Sequence, residues 1–543
     1  MARRRLRDST FSTAVRMVAG TASVPAPIAG LNVRDSLAAM DQRFAVVLEN
    51  MFPTAWGVQV RKGWKVFCNL PELTKVMSVF NYCPPAGAEK LFAVQESGAG
   101  GKLYEAVPGA PVLQRSVANT RVQTTNYTNA FGSFVLCANG ADTPFYYNGT
   151  AWANLTQTGY IVPPPPDGPP GGTLPLAPAN LIDVTNFRRR VWWVEKNSTR
   201  AWYGGVDEIQ GVLEMFDLGE VFQRGGSLME IGTWTVDAGN GINDHIVFIS
   251  SEGDIAMFSG TDPNVDFALS GLYKIAPPIN RRSAVKRGGD LLVATYEGVV
   301  SLAMVLQEQS ELPATTLTDV IKPLLAGLAN GLITDINDWC LVTNNKNEHL
   351  IYNTRDSSGF CAQYIMNMTT KAWTKYTNMD SYCWCEFDSE PYFGTANGAV
   401  ARAWYGTEDG VAYDGTGGEL IQGKALQAFN YFDSPGKQKF FNMARPIIRA
   451  DSEPSIGVAL AVDFNTGGVV FAEDPTSLSA GLGIWDVSFW DQALWAAGSM
   501  VWQRWFNVGS IGVSGAVSLA IKCTTQNATW LATDVTIEAG GVL

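Results

Sequence analysis

Short apolar runs separated by turn signals are the feature that most constrains the fold of this chain. Between residues 251 and 302 there are three such runs, Ile255–Phe258, Leu291–Thr295 and Val299–Leu302. Short glycine-containing sequences such as Glu-Gly and Gly-Gly-Asp separate these runs, and such sequences favour tight turns. Apolar runs this short, with a turn at each end, are typical of β-strands rather than helices. The sequence therefore predicts an all-β fold built from repeated short strands.

The strand pattern recurs in about six groups along the first three quarters of the chain. The groups cover residues 76–113, 122–155, 181–219, 228–262, 282–308 and 340–405. Groups of roughly 40 residues with about four strands are typical of propeller blades. The pentapeptide RAWYG occurs twice, at Arg200–Gly204 and Arg402–Gly406, which supports equivalent positions in two blades. We predict an all-β chain that forms a β-propeller of about six blades with an additional C-terminal β domain.

Changes in composition divide the chain into four regions. Residues 1–26 are expected to be a flexible basic N-terminal arm, and residues 27–70 a segment that packs with the C-terminal domain. Residues 71–425 are expected to form the propeller, and residues 426–543 a C-terminal β platform domain. The insertion at 161–176 contains four consecutive prolines, which favour extended polyproline II, and serves either as a linker between blades or to reach a partner.

One helix is expected, over Thr316–Leu332. Thr318 is a candidate N-cap, and Pro323 is expected to kink the helix.

Composition narrows the classes of function. The 543 residues carry a net charge of −12, which argues against binding nucleic acid by neutralising many phosphates. Only 17% of the residues are charged, so either much surface is buried against partners or the β core is large. No apolar run reaches 18 residues, so we expect no membrane span.

Candidate chemical groups are few and incomplete. Cys383 and Cys385 would share one face of a strand, as one edge of a metal site or as buried thiols. The string DAGNGIND, Asp237–Asp244, fits a tight turn or a cation loop, but Gly239 stands where an EF-type loop has an oxygen ligand.

Catalytic motifs are also missing. The two histidines, His245 and His349, accompany no recognised hydrolase motif, although a glycosidase carboxylate pair stays open. We expect no enzyme activity, no cofactor, no metal and no catalytic residues.

Tryptophans crowd one stretch near the C-terminus. Because tryptophan is a preferred anchor at protein interfaces, they are candidate residues for an oligomer interface, with a protein core or sugar binding as alternatives. The candidates are Trp485, Trp490, Trp495, Trp502 and Trp505.

Three separated stretches resemble one known family. In the first stretch the matching residues are Asn32, Arg34, Asp35, Met40, Ala45, Leu48, Asn50, Phe52, Pro53, Gly57, Val58, Arg61 and Gly63. In the middle stretch they are Trp234, Asp237, Gly239, Gly241, Asp244, Gly253, Gly260, Asp262, Pro263, Gly271, Tyr273, Pro278, Ile279, Arg281, Arg282, Gly289, Asp290, Thr295, Gly298 and Leu302. The third runs roughly from Ala428 to the C-terminus. These stretches resemble the tail nozzle, or DNA-stabilisation (tail hub), proteins of short-tailed bacteriophages, although Asn280 and Ala276 stand where glycine is usual.

The resemblance implies a structural virion protein of the phage tail, assembled in the host cytoplasm. It implies a β-propeller fold and a homo-hexamer below the portal and the tail adaptor (head-to-tail connector) ring, with tail fibre or spike proteins as further partners. Double-stranded DNA would be retained and then conducted through the lumen without sequence-specific binding. The alternatives are a tail-associated propeller that binds or degrades glycans and a cellular propeller scaffold.

A low-friction channel would need a lining of acidic and small polar residues, because Lys and Arg clusters bind phosphate strongly. We therefore expect the basic string Arg281–Arg287, RRSAVKR, to face neighbouring protein or the outside.

Overall fold

Seven blades of antiparallel strands surround one axis, and the sheet of one blade continues into a second β domain. The computed structural model describes residues 20–158, 176–235, 244–307, 316–330, 338–474, 500–525 and 527–542. The predicted arm up to residue 19 and the proline-rich residues 161–175 lie outside these ranges. In the described part of the chain, no helix is long and apolar enough to cross a membrane.

Six strands precede the first blade of the ring. They are β1 (Gly20–Pro25), β2 (Gly30–Leu31), β3 (Phe44–Glu49), β4 (Met51–Pro53), β5 (Val58–Val60) and β6 (Trp64–Asn69).

The ring itself consists of blades 1 to 7. Blade 1 contains β7 (Val76–Tyr82), β8 (Lys90–Ser97), β9 (Gly100–Glu105) and β10 (Val112–Val117). Blade 2 contains β11 (Gln123–Asn129), β12 (Gly132–Ala138), β13 (Phe145–Tyr147) and β14 (Trp152–Asn154), and is followed by β15 (Gln157–Thr158). Blade 3 contains β16 (Leu181–Phe187), β17 (Arg190–Glu195), β18 (Arg200–Tyr203) and, after β19 (Gly211–Val212), β20 (Glu214–Asp217). Blade 4 contains β21 (Leu228–Thr235), β22 (Asp244–Ser250), β23 (Asp254–Ser259) and β24 (Ala268–Lys274).

The remaining blades differ in how they are completed. Blade 5 has three strands, β25 (Ala284–Arg287), β26 (Asp290–Thr295) and β27 (Gly298–Ser301), followed by helices α1 (Leu302–Gln307) and α2 (Lys322–Asn330). Blade 6 contains β28 (Cys340–Asn344), β29 (His349–Arg355), β30 (Cys361–Asn367) and β31 (Trp373–Tyr376). Blade 7 contains β32 (Ser381–Phe387), β33 (Glu390–Thr395) and β34 (Ala399–Ala403), and β6 is its fourth strand.

Hydrophobic cores between neighbouring blades hold the ring together. Trp192 of blade 3, for example, lies 5.7 Å from Phe248 of blade 4, ring centre to ring centre, and corresponding clusters join each of the other pairs. The first strand of every blade is innermost. The predicted fold class, a β-propeller with an additional C-terminal β domain, is confirmed. Blades 1 to 4 and blade 7 are four-stranded sheets, blade 6 consists of four strands of a larger sheet, and three-stranded blade 5 completes the ring.

An N-terminal strand closes the ring. In blade 7, β6 pairs antiparallel with β34, with Trp64 opposite Ala403. Just before β6 the backbone also passes close to another part of the chain, because a Cβ on Gly63 would lie 1.8 Å from the carbonyl oxygen of Glu408. The end of the predicted 27–70 segment therefore belongs to the propeller, and the predicted group 340–405 is two blades rather than one. The reason is that blade 7 takes its last strand from a distant part of the sequence.

The rest of the chain forms the platform. Its strands are β35 (Glu408–Asp409), β36 (Glu419–Leu420), β37 (Gln422–Gln427), β38 (Lys437–Ala450), β39 (Ser455–Val462), β40 (Met500–Gln503), β41 (Phe506–Gly512), β42 (Gly515–Lys522) and β43 (Thr529–Val542). Blade 6 continues through β2, β3, β37, β42 and β39 into one nine-stranded sheet. A second sheet runs β4-β5-β43-β38-β40, with β1 on β43 and β41 on β38. Propeller and platform therefore share continuous backbone hydrogen bonding.

A buried ion pair fixes the junction between the two parts. Arg61, with a side chain only 1% exposed, donates to both carboxylate oxygens of Asp409 at 2.7 and 2.6 Å. Its other donors bind Asn50 Oδ1 and the carbonyl oxygens of Lys62 and Thr377. Each part of the guanidinium is thus used, as a buried charge requires.

The predicted helix forms, but over a shorter range and without a kink. Pro323 lies in the first turn of α2, where its missing N–H costs no hydrogen bond. Thr318 does not cap the helix. Its hydroxyl oxygen accepts the backbone N–H of Val299 at 3.0 Å instead.

Candidate functional site

Two of the five candidate interface tryptophans lie in the described part of the chain; Trp485, Trp490 and Trp495 lie outside it. Trp502 on β40 is half-buried, and its indole N–H donates to the carbonyl oxygen of Ala450 at 3.2 Å. Trp505 is partly exposed, with the guanidinium carbon of Arg445 4.8 Å from its ring centre. Trp502 thus contacts its own subunit, and the interface role of the cluster stays a prediction.

The same region carries an exposed apolar surface, which we name the outer face of the platform. It consists of Phe440 and Met443 on β38, Val501 on β40 and Ile511 on β41. Phe440 pairs directly with Ile511 across the two strands, and these side chains are 38% and 57% exposed. Apolar side chains on adjacent strands that remain open to solvent are typical of contact surfaces.

A cavity of about 320 Å³ occupies the propeller axis, lined by the innermost strands of the blades. Four charged side chains line it: Asp183 on β16, Glu230 on β21, and Arg281 and Arg282 before β25. One carboxylate oxygen of Asp183 accepts the backbone N–H of Ile231 at 3.4 Å. One carboxylate oxygen of Glu230 accepts hydrogen bonds from the hydroxyl of Ser283 and from the backbone N–H of Ala284, both at 3.1 Å.

Burial controls the protonation of these groups. It raises the pKa of the Asp183 carboxyl to about 6. Burial first, and then the negative charge of Asp183, raise the pKa of Glu230 above its usual range. The pKa of Arg281 is lowered by burial, which the charge of Asp183 opposes. The axis therefore holds an acid pair that takes up protons more readily than exposed carboxyls do.

Arg282 crosses the axis and ties three blades together. Its guanidinium donates to Gln123 Oε1 at 3.2 Å, to the carbonyl oxygen of Met77 at 3.0 Å and to Ser78 Oγ at 2.7 Å. The expectation that Arg281–Arg287 faces neighbouring protein or the outside is therefore wrong for Arg281 and Arg282. Because they immediately precede an innermost strand, their side chains reach the axis of their own subunit.

The sulfur and imidazole candidates are buried or half-buried side chains of the blades. Cys383 and Cys385 share a face of β32, as predicted, and burial raises the pKa of each thiol to about 12, which makes them weak metal ligands at neutral pH. His349 lies between Phe52 and Trp404, and burial lowers its pKa to about 3. Burial also lowers the pKa of His245.

The remaining sequence candidates give no metal site within the described ranges. DAGNGIND lies outside them except for Asp244, which begins β22. Among the described residues, no group of three or more His, Cys, Asp or Glu side chains could hold a metal ion.

Asp183 and Glu230 were not among the residues predicted from the sequence, although the sequence contains a pattern that indicates them. Asp183 and Glu230 each interrupt an apolar strand, in LIDVTNF and LMEIGTW, near the start of a blade. An acid at that position of an innermost strand points to the axis.

No family model and no curated protein matches the chain. Among solved structures, BBS1N in complex with ARL6DN, soaked with mercury, is 12% identical and aligns over 63% of this chain and 97% of its own, with a TM-score of 0.37. YCF48 bound to D1 peptide is 11% identical and aligns over 62% of this chain and 94% of its own, with a TM-score of 0.32. Both are β-propellers.

Proposed function

We propose that the chain is a structural, non-enzymatic subunit of a short bacteriophage tail, a nozzle that forms a hexameric ring below the portal and adaptor. The observation that carries the proposal is the apolar outer face of the platform, which suits self-association. The sequence resemblance supplies the type of assembly. The shared sheets make each subunit a stiff body, as a load-bearing tail component needs.

In this proposal DNA passes between the copies, along the hexamer axis. A single propeller does not admit a duplex, because Arg282 bridges its axis and the cavity there is only about 320 Å³. The acidic and small polar lining that we expect for the lumen therefore belongs to surfaces shared by neighbouring subunits. The adaptor ring and the tail fibres or spikes would bind the two ends and the rim of the hexamer.

The oligomeric state tests the proposal directly. We expect the purified protein to form six-fold rings by electron microscopy and mass photometry, and Phe440→Asp with Ile511→Asp to yield monomers. A charge on each side chain would have to be buried without a partner, which costs several kcal/mol per contact.

Phe131→Asp is the matched control, because Phe131 is 87% exposed on a blade 2 turn, away from the platform. It should leave the rings intact. A wild-type protein that stays monomeric at high concentration would overturn the proposal. Rings that survive the double substitution would exclude the outer face as the contact.

A further inference from the structure

A second cavity, of about 360 Å³, lies between blades 6 and 7, where the closing strand β6 begins; we name it the closure cavity. Three cations line it, Lys62 before β6, Lys346 on the β28–β29 turn and Arg402 on β34. Glu390 supplies one carboxylate, and Tyr405 supplies an aromatic side chain that is 40% exposed. The wall is thus positively charged in a chain with a net charge of −12.

Part of this positive charge is unused within the subunit. Glu390 pairs with Lys346, and it lies 3.4 Å from the guanidinium of Arg402. Lys62 forms no ion pair with any residue that the structure describes. The Nε–H of Arg402 is buried and finds no acceptor among those residues. The wall of the cavity therefore holds one carboxylate and three cations, and the buried Nε–H of Arg402 has no acceptor among the described residues.

The two RAWYG copies differ in the conformation and hydrogen bonding of their tryptophans, and only the second copy lines the closure cavity. Both lie on the third strand of a blade, but Trp202 is within β18, and its indole N–H donates to Glu195 Oε2 at 2.9 Å. Trp404 follows the end of β34 with a φ of +57°, lines the closure cavity, and its indole N–H has no acceptor among the described residues. A left-handed conformation is strained for a bulky residue, and such strain concentrates at binding sites.

We propose that the closure cavity binds a small acidic saccharide. The carboxylate is held by Arg402 and Lys62, and the sugar ring lies against Tyr405. A guanidinium fork matches a carboxylate in geometry and charge. A cavity of this size suits a small ligand rather than a single ion, and its mostly polar wall suits a ring that carries hydroxyls.

The proposal does not depend on the ring-forming function. Binding is expected in monomers and in rings, because all the residues concerned belong to one subunit. Failure to bind would leave the hexamer proposal untouched, and failure to form rings would leave this one untouched.

Calorimetric titration of the full chain with glucuronate at low salt tests the proposal. We expect saturable binding of glucuronate and none of glucose. Arg402→Gln and Lys62→Gln should each weaken the affinity about tenfold or more, as expected for a lost hydrogen bond to a charged group. Arg200→Gln, in the other RAWYG copy, is the matched control and should bind as the wild type does.

Three results would overturn the proposal. Absence of glucuronate binding is the first, and binding that is unchanged in both Arg402→Gln and Lys62→Gln is the second. The third is equally tight binding of inorganic phosphate or of a short DNA duplex, which would make the cavity a general anion site. Lys62 is exposed and unpaired among the described residues, so its substitution leaves the fold intact and keeps the test decisive.

Discussion

Arg281 and Arg282 are adjacent in the sequence but have different environments in the propeller axis. Arg282 donates to groups on β7 and β11 and acts as a tie across the ring. Arg281 instead supplies a positive charge near the acid pair of Asp183 and Glu230. The pair is electrostatically costly when ionised, because the two carboxyls are buried near each other.

Stability should therefore depend on pH through this pair. The folded-state pKa of Asp183 is raised, so the folded protein keeps a proton that the unfolded chain releases. Its stabilising contribution is present below pH ~4 and is lost as pH rises through about 6. In chemical denaturation at pH 7.5, Asp183→Asn should be more stable than the wild type by up to about 3 kcal/mol, and Glu230→Gln should also be more stable than the wild type.

At pH 4 the Asp183→Asn and Glu230→Gln variants should lose their stability advantage over the wild type. Glu220→Gln, at an exposed position, is the control and should change stability little at either pH. An advantage of the same size at both pH values would contradict the argument.

Single residues also show what the sequence could and could not predict. Buried Asn280 is satisfied locally, because it donates to the carbonyl oxygen of Trp339 at 2.8 Å and accepts the N–H of Arg282 at 2.7 Å. Strand positions were predictable because apolar runs and turn signals are local. The inward direction of Arg281 and Arg282 was not, since a run of charges normally indicates a solvated surface.

Among the elements, the junction around Arg61 is where distant segments meet. The side chain lies between β5 and β6, and it binds β35 and the end of blade 6. Sequence alone does not give this pairing, because 348 positions separate Arg61 from Asp409. The seventh blade was not predicted for a similar reason, because its fourth strand β6 is far from β34 in the sequence.

Breaking this ion pair should be costly. Asp409→Ala would leave the guanidinium of Arg61 buried without its carboxylate, and should destabilise the protein by about 3–5 kcal/mol in urea unfolding. Glu297→Ala removes the exposed pair with Lys322 and should cost less than about 1 kcal/mol. Equal effects of the two substitutions would show that burial does not set the value of the Arg61 pair.

On the scale of the whole molecule, the nine-stranded sheet makes propeller and platform one structural unit. Blade 6 cannot lose its register without disturbing β2, β3 and β37. The cluster of buried side chains beneath it also spans both parts, from Leu350 of blade 6 to Leu519 of the platform.

Calorimetry should accordingly show one cooperative unfolding transition rather than separate transitions for propeller and platform. The calorimetric and van't Hoff enthalpies should agree. Two resolved transitions, or a proteolytic fragment near residues 71–425 that keeps its own cooperative melting, would contradict the coupling.

Ring closure by β6 has a consequence for biosynthesis. The strand leaves the ribosome before any blade is made, and its partner β34 emerges only after the seventh blade has begun. At about 5–20 residues per second, β6 waits on the order of tens of seconds with its apolar face and backbone unpaired. During that interval the nascent propeller is an open arc with two free edges, the state most exposed to chaperones and to pairing with a neighbouring chain.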